Sequence, residues 1–342
     1  MSRRNSQWHG PEVRVCAAVA LKAFIILRRK GTERAQVRPG IYLSDVRQTI
    51  RVASLPGWLV GSVVAAGLVA TGALAAYTAP DNQFRFAIIG DRTGEAVPGV
   101  WDQVWRETNA DHPDFIVTVG DTIQGGSDAT MDAEWRQMMQ MLAPYRRKYK
   151  IFFTPGNHDV WSPASAQAFT KYTKQPLHYS FDYKQAHFTI LDNSRSDEMP
   201  AEELAFLRDD LQKHASQPLK FVFSHRPSWI LQVVLSNPHF ELHQLAKHYG
   251  VQYVVAGHIH QMLHFELDGI TYLSIASSGG HLRNGKEYQK GWFFQHTIVT
   301  VHGSSANFAI KETGPPFGES RLTKPADWGA AGLVDRKEIK TR

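Results

Sequence analysis

The sequence predicts an α/β fold in which the earlier strands of the chain form a largely parallel β-sheet and later strands form a second layer. Three apolar segments in the first half have the length of buried strands, and each ends in glycine and polar residues. They are FRFAIIGD (84–91), DFIVTVGD (114–121) and KIFFTPGNHD (150–159). Segments with helical spacing separate them, and such alternation implies right-handed crossovers between parallel strands.

Each further element follows from the spacing of its apolar residues. After the first strand, Val100, Val104 and Trp105 mark one face of a helix. After the second strand, the apolar residues step by four, three and four positions: Met131, Trp135, Met138 and Leu142. Residues 178–193 have the pattern of a two-stranded hairpin, and Pro200 opens a helix whose leucines share one face.

The second half of the chain adds two buried strands and then strands only. LKFVFSHRP (219–227) and VQYVVAGHIH (251–260) are predicted strands, with a helix at 241–249 between them. The last predicted strands lie at 264–277, 291–301 and 307–312. Residues 314–342 are rich in proline, glycine and charge, so we expect a loosely ordered C-terminal tail.

The positive charge of the chain is concentrated at its N-terminus. The formal net charge is +6, but residues 1–54 hold eleven basic and three acidic residues, which leaves the remainder with a net charge of −2. A basic surface that binds nucleic acid is therefore not indicated. The single cysteine, Cys16, lies in the basic leader, which excludes a thiol nucleophile and structural cysteine–zinc sites from the remainder.

An apolar stretch follows the basic leader. WLVGSVVAAGLVATGALAAY (58–77) is long enough to span a bilayer, which takes about 20 residues. Arg47 and Arg51 precede it, and the positive-inside bias then places the N-terminal side in the cytoplasm. The sequence Ala-Leu-Ala at 73–75 resembles a signal-peptidase site, so a cleaved signal is the alternative to a transmembrane anchor.

These patterns divide the chain into four parts. They are a basic leader (1–54), an anchor or signal segment (55–80), a main domain (81–313) and the C-terminal tail (314–342). We expect a membrane-anchored or secreted protein whose main domain lies outside the cytoplasm.

Polar residues stand at the ends of five predicted strands. They are Asp91, Asp121, Asn157 with His158, His225, and His258 with His260. Any one of them could cap a turn, but sheets of this kind bind ligands beyond the carboxyl ends of their strands. Five such ends together point to one site. Because carboxylate, imidazole and amide groups are metal ligands, we predict a metal centre there.

These residue types suit a centre with two divalent ions. Ions about 3.5–4 Å apart need a carboxylate between them, because an anionic group with two oxygens can bond both and offset their repulsion. Imidazoles add nitrogen ligands suited to manganese, iron or zinc, and an amide oxygen fills a position without adding charge. Such a pair lowers the pKa of a trapped water and stabilises pentacoordinate phosphorus in the transition state.

The strand-end motifs also carry a family resemblance. GDRT, GDTIQ, GNHD, SHRP and GHIH, in this order, resemble the five blocks of the calcineurin-like metallophosphoesterase superfamily over about residues 84–310. The resemblance implies a double β-sheet sandwich flanked by helices.

The resemblance also implies a role for each strand-end residue. Asp121 would bridge two metal ions, and Asp91 with His260 would hold the first. The ligands of the second ion would be Asn157, His225 and His258. His158 would lie near the leaving group, as a general acid or a transition-state donor.

Two positions depart from the family pattern. The first block usually reads Asp-x-His, but Thr93 stands at its third position, and Gln124 stands where the second block usually has aspartate or tyrosine. We expect the Gln124 amide oxygen, or a water held by Thr93, to complete a weaker first site. Arg92, with Asn157 and His158, is a predicted contact for the substrate phosphate, since guanidinium matches its oxygens in a fork. A surface ion pair is the alternative role for Arg92.

The predicted function is metal-dependent hydrolysis of a phosphate ester by water activated at a binuclear metal centre. The alternative is a degenerate domain that binds a ligand or partner without turnover. The missing histidine of the first block favours this alternative, and the presence of the bridging aspartate opposes it. The motifs do not distinguish monoesters, diesters, nucleotides and lipid pyrophosphates, because loops set that choice.

Overall fold

The computed structural model describes residues 82–282, 288–313, 321–329 and 332–336. The apolar stretch at 58–77 lies outside these ranges, so the anchor or signal remains a prediction. Among the described residues, no helix has the length and apolar character needed to cross a membrane.

Twelve strands in the described ranges form two six-stranded sheets. In chain order they are β1 (Gln83–Ile89), β2 (Phe115–Thr118), β3 (Lys150–Phe152), β4 (Tyr179–Tyr183), β5 (Ala186–Ile190), β6 (Leu219–Phe223), β7 (Tyr253–Ala256), β8 (Leu263–Leu267), β9 (Ile270–Ser274), β10 (Gln295–His302), β11 (Ser305–Glu312) and β12 (Arg321–Leu322).

Both sheets mix parallel and antiparallel pairs. The first sheet has the order β12-β11-β10-β1-β2-β3, with β1, β2 and β3 parallel. The second has the order β4-β5-β6-β7-β9-β8, with β5, β6, β7 and β9 parallel. Parallel neighbours require crossover connections, and these leave the carboxyl ends of the parallel strands at one edge of each sheet.

Helices supply most of the crossovers. They are α1 (Val100–Ala110), α2 (Met131–Arg146), α3 (Pro163–Thr173), α4 (Ala201–Lys213), α5 (Ile230–Val234) and α6 (Glu241–Tyr249). α3 begins with a capping box in which the Ser162 hydroxyl accepts from the Ser165 N–H, and Pro163 occupies its first turn.

The main core lies between the two sheets. Phe86 of β1 packs edge-on against Phe188 of β5, with ring centroids 5.2 Å apart, and against Phe221 of β6 at 5.3 Å. The outer face of the first sheet packs on α1, α2 and α3, where Trp105 and Trp135 are fully buried. The outer face of the second sheet packs on α4, α5 and α6. The layers are therefore helix, sheet, sheet and helix, which confirms the predicted two-sheet α/β fold.

Two features of the fold differ from the sequence-based expectation. The last long strands, β10 and β11, do not form a second layer, because β10 pairs antiparallel with β1 in the first sheet. The second layer begins instead at β4 and contains β5, β6 and β7. Strand patterning identifies which residues are buried but not which sheet edge a strand joins. The sequence also does not predict α3 and α5, since α3 has few large apolar residues and α5, with five residues, is too short to show a helical period.

Part of the region expected to be a loose tail packs on the domain. Strand β12 pairs with β11, and the Arg336 guanidinium contacts the buried Glu312 carboxylate. The same guanidinium lies 4.9 Å from the ring centroid of Tyr288. The described residues beyond 320 therefore extend the first sheet and cover one of its ends.

Candidate metal centre

The candidate ligands lie on loops that follow central parallel strands of both sheets. Asp91 follows β1, Asp121 follows β2, and Asn157 and His158 follow β3. His225 follows β6, and His258 and His260 follow β7. Hydrogen bonds join the two sets of loops: the His258 N–H donates to Asp91 Oδ1 at 2.9 Å. The sandwich therefore brings together residues that are far apart in sequence.

Four of these residues have a left-handed backbone. The angle φ is 52° at Asp91, 56° at Asp121, 71° at His258 and 62° at His260. Residues other than glycine rarely adopt this conformation, because Cβ crowds the neighbouring carbonyl. Such strain persists only where the surrounding structure imposes it, and it is concentrated at functional sites. The four side chains are thus directed inward by a backbone that is unfavourable on its own.

His225 lies in the middle of one group of potential ligands. Its Nε2 is 2.9 Å from Asn157 Oδ1 and 3.3 Å from Asp121 Oδ1. His258 Nδ1 is 3.1 Å from the same nitrogen. His225 is fully buried, so these donors form a compact group that little water reaches.

Asp121 belongs to two groups of donors. The ligand atoms of Asp121, His225 and His258 lie within 4.8 Å of one another, and so do those of Asp91, Asp121 and His260. Carboxylate oxygens and imidazole nitrogens are a donor set that suits manganese, iron or zinc. The residues therefore fit divalent metal ions at this position.

Backbone carbonyls orient two of the histidines. His225 Nδ1 lies 2.7 Å from the carbonyl oxygen of Val119, and His260 Nδ1 lies 2.7 Å from that of His281. Donation from each Nδ1–H to a carbonyl leaves Nε2 as the nitrogen that can bind a metal. The tautomer of each ring is thus set by the main chain around it.

The charges of His225 and Asp121 affect each other's pKa strongly. Burial alone lowers the pKa of His225, but the Asp121 and Asp91 carboxylates outweigh it and raise this pKa to about 9. Burial alone raises the pKa of Asp121, yet the neighbouring His225 brings it well below its usual range. The two charges therefore stabilise each other, and a metal ion bound here would compete with a proton for the His225 nitrogen.

Asp159 lies beside the candidate ligands and supports their loops, a role that the sequence does not assign. It is fully buried, and its Oδ1 accepts the backbone N–H groups of Thr122 (2.8 Å) and Ile123 (3.1 Å). Its Oδ2 accepts the N–H of Gly156 at 3.0 Å. Burial, together with the Asp121 charge, raises the pKa of Asp159 to about 7. Asp159 thereby ties the loop of Asp121 to the loop that carries Asn157.

Asn193 has the corresponding role in the second sheet. It follows β5, and its Oδ1 accepts the N–H groups of His225 at 3.1 Å and Arg226 at 3.0 Å. Its Nδ2 donates to the Arg226 carbonyl at 2.7 Å. The position of Asn193 at the end of a strand is the one sequence signal that could have identified this role.

Two glycines permit the loops to approach closely. A Cβ at Gly156 would lie 2.2 Å from the Asp121 nitrogen, and a Cβ at Gly257 would lie 2.4 Å from Asp91 Oδ2. Neither position has room for a side chain, which explains the glycines of the GNHD and GHIH motifs.

A small pocket lies at this site, and a larger cavity lies near it. A pocket of about 70 Å³ is lined by candidate ligands and by His158. A larger cavity of about 520 Å³ is lined by Arg92, Trp101, Met138 and neighbouring residues. Gln124 connects the two regions, since it lines the larger cavity and its carbonyl oxygen contacts His158 of the small pocket.

A family model described as calcineurin-like phosphoesterase matches residues 84–262, just over half of the chain. The chain belongs to this family. The matched region runs from β1 past His260 and includes every strand-end residue above, which confirms the resemblance carried by the five motifs.

Curated relatives of this calcineurin-like phosphoesterase include two enzyme types. The 3′,5′-cyclic adenosine monophosphate phosphodiesterase CpdA of Haemophilus influenzae is 22% identical over 220 residues, covering 60% of this chain and 77% of the relative. CpdA of Escherichia coli K12 is 26% identical over 201 residues, covering 56% and 70%. Purple acid phosphatase 23 of Arabidopsis thaliana is 25% identical over 177 residues, covering 44% and 38%.

Solved structures share the fold. Purple acid phosphatase PPD1 from yellow lupin matches with a TM-score of 0.54 and 14% identity, over 70% of this chain and 53% of the lupin enzyme. The chain thus spans about half the length of that protein. GAP50, the anchor in the inner membrane complex of Plasmodium, matches with a TM-score of 0.50 and 15% identity, over 75% of this chain and 90% of its own. At these identities the likeness concerns the fold alone.

The two departures from the family pattern contact each other in this phosphoesterase. The Thr93 hydroxyl donates to Gln124 Oε1 at 2.5 Å. His158 Nδ1 lies 2.5 Å from the Gln124 carbonyl oxygen, and the His158 N–H donates to Asp121 Oδ1 at 3.0 Å. The ring of His158 is therefore held by the main-chain carbonyl of Gln124, one of the two residues that depart from the pattern. A ligand role for Gln124 remains a prediction.

Arg92 faces the larger cavity and does not line the small pocket. Burial lowers the pKa of its guanidinium, an effect that the charges of Asp102 and Glu134 oppose. Arg226 is nearer the centre, since its Nη1 lies 3.3 Å from His258 Nε2 and 2.5 Å from Asp197 Oδ1.

Proposed function

We propose that the chain hydrolyses a phosphate ester with a water molecule activated at a binuclear metal centre. The observation that carries this proposal is that two donor groups share the Asp121 carboxylate. A pair of divalent ions requires such a group between them. The relatives named as a cyclic-nucleotide phosphodiesterase and a purple acid phosphatase support ester hydrolysis in general.

The geometry supports a division of the ligands between two ions, which would be manganese, iron or zinc. Asp91 and His260 would hold the first ion, together with one oxygen of Asp121. Gln124 is the candidate for its remaining protein ligand, because Thr93 directs its amide oxygen. The ligands of the second ion would be Asp121, Asn157, His225 and His258.

The chain's own residues would orient the reacting groups. Bound ions of this kind lower the pKa of water and offset the charge of a phosphate. His158 lies in the small pocket beside Asn157, where both can reach a phosphate oxygen. With its Nδ1–H donated to the Gln124 carbonyl, His158 presents Nε2 toward the substrate and can assist departure of the leaving group.

The larger cavity favours an ester with a sizeable organic group. Its volume of about 520 Å³ exceeds what a phosphate needs, and its walls combine apolar side chains with the charge of Arg92. Arg92 would contact a phosphate oxygen or another anionic group of the substrate. We therefore place diesters ahead of simple monoesters.

Hydrolysis of bis(p-nitrophenyl) phosphate and p-nitrophenyl phosphate with added Mn²⁺ tests the proposal. We expect metal-dependent activity that is higher on the diester. Asp121→Asn keeps the size of the side chain but removes the charge between the ions, so activity should fall on the order of 10³-fold or more. Asp209→Asn, which changes an exposed carboxylate on α4, is the control and should retain activity.

The degenerate alternative gives a different result. A protein that binds Mn²⁺ but hydrolyses neither ester at any metal concentration would overturn the enzymatic proposal. Ligand or partner binding would then be the function to pursue.

A further inference from the structure

A second cluster of histidine and carboxylate side chains lies on the second sheet, away from the candidate centre. His187 is near the start of β5, whereas the centre lies beyond the carboxyl ends of the parallel strands. Asp182 of β4 is its direct partner across the hairpin. Asp210, near the end of α4, and His214, which follows that helix, complete the cluster.

The cluster is compact and closely bonded. His187 Nδ1 lies 2.6 Å from Asp182 Oδ1, and His187 Nε2 lies 2.9 Å from Asp210 Oδ2. The ring of His214 stacks on that of His187, with centroids 4.0 Å apart and planes inclined by 16°. Ligand atoms of Asp182, His187 and His214 lie within 4.8 Å of one another.

We propose that Asp182, His187 and His214 form a zinc site separate from the binuclear centre. Two imidazoles and one carboxylate are a donor set that zinc prefers, whereas magnesium and calcium favour oxygen ligands alone. The proposal is independent of the catalytic one, because none of the three residues belongs to the centre.

Asp210 supplies the support that metal-binding histidines require. Its carboxylate accepts from His187 Nε2, and its main-chain carbonyl lies 2.9 Å from His214 Nδ1. The carboxylate is itself fixed by the Ser180 hydroxyl at 2.6 Å and the Thr189 hydroxyl at 2.7 Å. With these nitrogens engaged by Asp210, zinc would bind His214 Nε2 and His187 Nδ1, the nitrogen that contacts Asp182 Oδ1.

The exposure of the cluster suits entry of an ion from solvent. The His187 side chain is fully buried, but 41% of Asp182 and 31% of His214 are exposed. His187 would therefore be the fixed ligand, and the exposed His214 ring would turn from its stacked position toward the ion. A bound zinc would link the β4–β5 hairpin to the end of α4.

Zinc content of the full-length protein tests the proposal, measured in the Asp121→Asn background after equilibrium dialysis against micromolar Zn²⁺. Relative to that parent, His214→Gln should lose one zinc per chain, and Asp182→Asn should weaken binding of the same ion by about 10-fold or more. His248→Gln, which changes an exposed histidine on α6, should keep the parental content.

Thermal unfolding provides the second measurement. Zn²⁺ should raise the melting temperature of the Asp121→Asn parent and of His248→Gln more than that of His214→Gln. Equal zinc content and equal melting-temperature shifts in the parent and in His214→Gln would overturn the proposal and leave the cluster as a set of ion pairs.

Discussion

At the residue scale, the candidate centre depends on side chains that hold its loops as well as on its ligands. Asp159 joins the loop after β2 to the loop after β3 through three buried backbone N–H groups. Asn193 fixes the backbone of His225 in the other sheet. These residues place Asp121 and His225 within 3.3 Å of each other, although they belong to different layers.

Replacing Asp159 should therefore disturb both stability and metal binding. In Asp159→Ala, three buried N–H groups lose their acceptor at about 1–3 kcal/mol each. Removing a carboxylate whose ionisation burial disfavours offsets part of this cost, so we expect a net loss of about 2–4 kcal/mol of unfolding free energy. Mn²⁺ affinity should fall about 10–100-fold, because the loop of Asp121 is no longer fixed. Urea denaturation and metal titration measure the two effects. Asp128→Ala, at an exposed position, is the control. If Asp159→Ala matched this control in both unfolding free energy and Mn²⁺ affinity, the supporting role of Asp159 would be contradicted.

Replacing His158 should impair departure of the leaving group without changing metal binding. We expect His158→Gln to keep its metal content but to lose about 10²–10⁴-fold in kcat on diesters with alkyl leaving groups, which need a proton. The loss should be much smaller with p-nitrophenolate, which leaves without one. Steady-state kinetics on the two substrate types makes the comparison. Equal losses on both would show that His158 acts only by holding the site together.

The candidate ligands could be grouped from sequence because each one lies on the loop that follows a recognisable strand. The residues that hold them could not, even where they lie inside a motif, as Asp159 does. Its partners are backbone groups 36 and 37 residues away in sequence, and such contacts leave no periodic pattern.

At the element scale, one carboxylate joins the end of helix α1 to strands β10 and β11 of the first sheet. Asp111, which ends α1, accepts from Lys311 of β11 at 2.5 Å and lies 2.8 Å from His296 Nε2 of β10. Burial alone raises the pKa of Asp111, but hydrogen bonds from His296 and Lys311 outweigh it and lower this pKa to about 2.

This ion pair should give stability a defined pH dependence. Because the folded pKa lies below the unfolded value of about 3.9, ionised Asp111 stabilises the fold above about pH 5, and this contribution is lost as pH falls toward 2. We expect Asp111→Asn to cost about 1–2 kcal/mol at pH 7, allowing for partial solvent screening. Denaturant unfolding at pH 7, 5 and 3 should show that the difference in unfolding free energy between the unsubstituted protein and Asp111→Asn narrows as the pH falls. A difference that stays constant would contradict the lowered pKa of Asp111.

The elements show where sequence patterns cease to be informative. β1, β2 and β3 follow from apolar runs alone, but the pairing of β10 with β1 depends on a free sheet edge that only the assembled fold creates. Helix α3 is defined by its cap at Ser162 and by few apolar contacts, chiefly Phe169. Local composition therefore identifies where the strands lie better than it identifies which strands pair with each other.

At the scale of the whole molecule, the chemistry depends on the sandwich of two sheets. The first sheet contributes Asp91, Asp121 and Asn157, and the second contributes the histidines that follow β6 and β7. Neither sheet alone holds a complete donor group, so the centre forms only when the inner faces pack together. Export of the domain through residues 58–77 remains a prediction from sequence.

Electron paramagnetic resonance of the Mn²⁺-loaded protein tests the shared role of Asp121 most directly. Two Mn²⁺ ions held by one carboxylate are close enough for exchange coupling, so we predict the spectrum of a coupled pair, lost in Asp121→Asn. A saturated protein that shows only the six-line signal of isolated Mn²⁺ would contradict the binuclear centre.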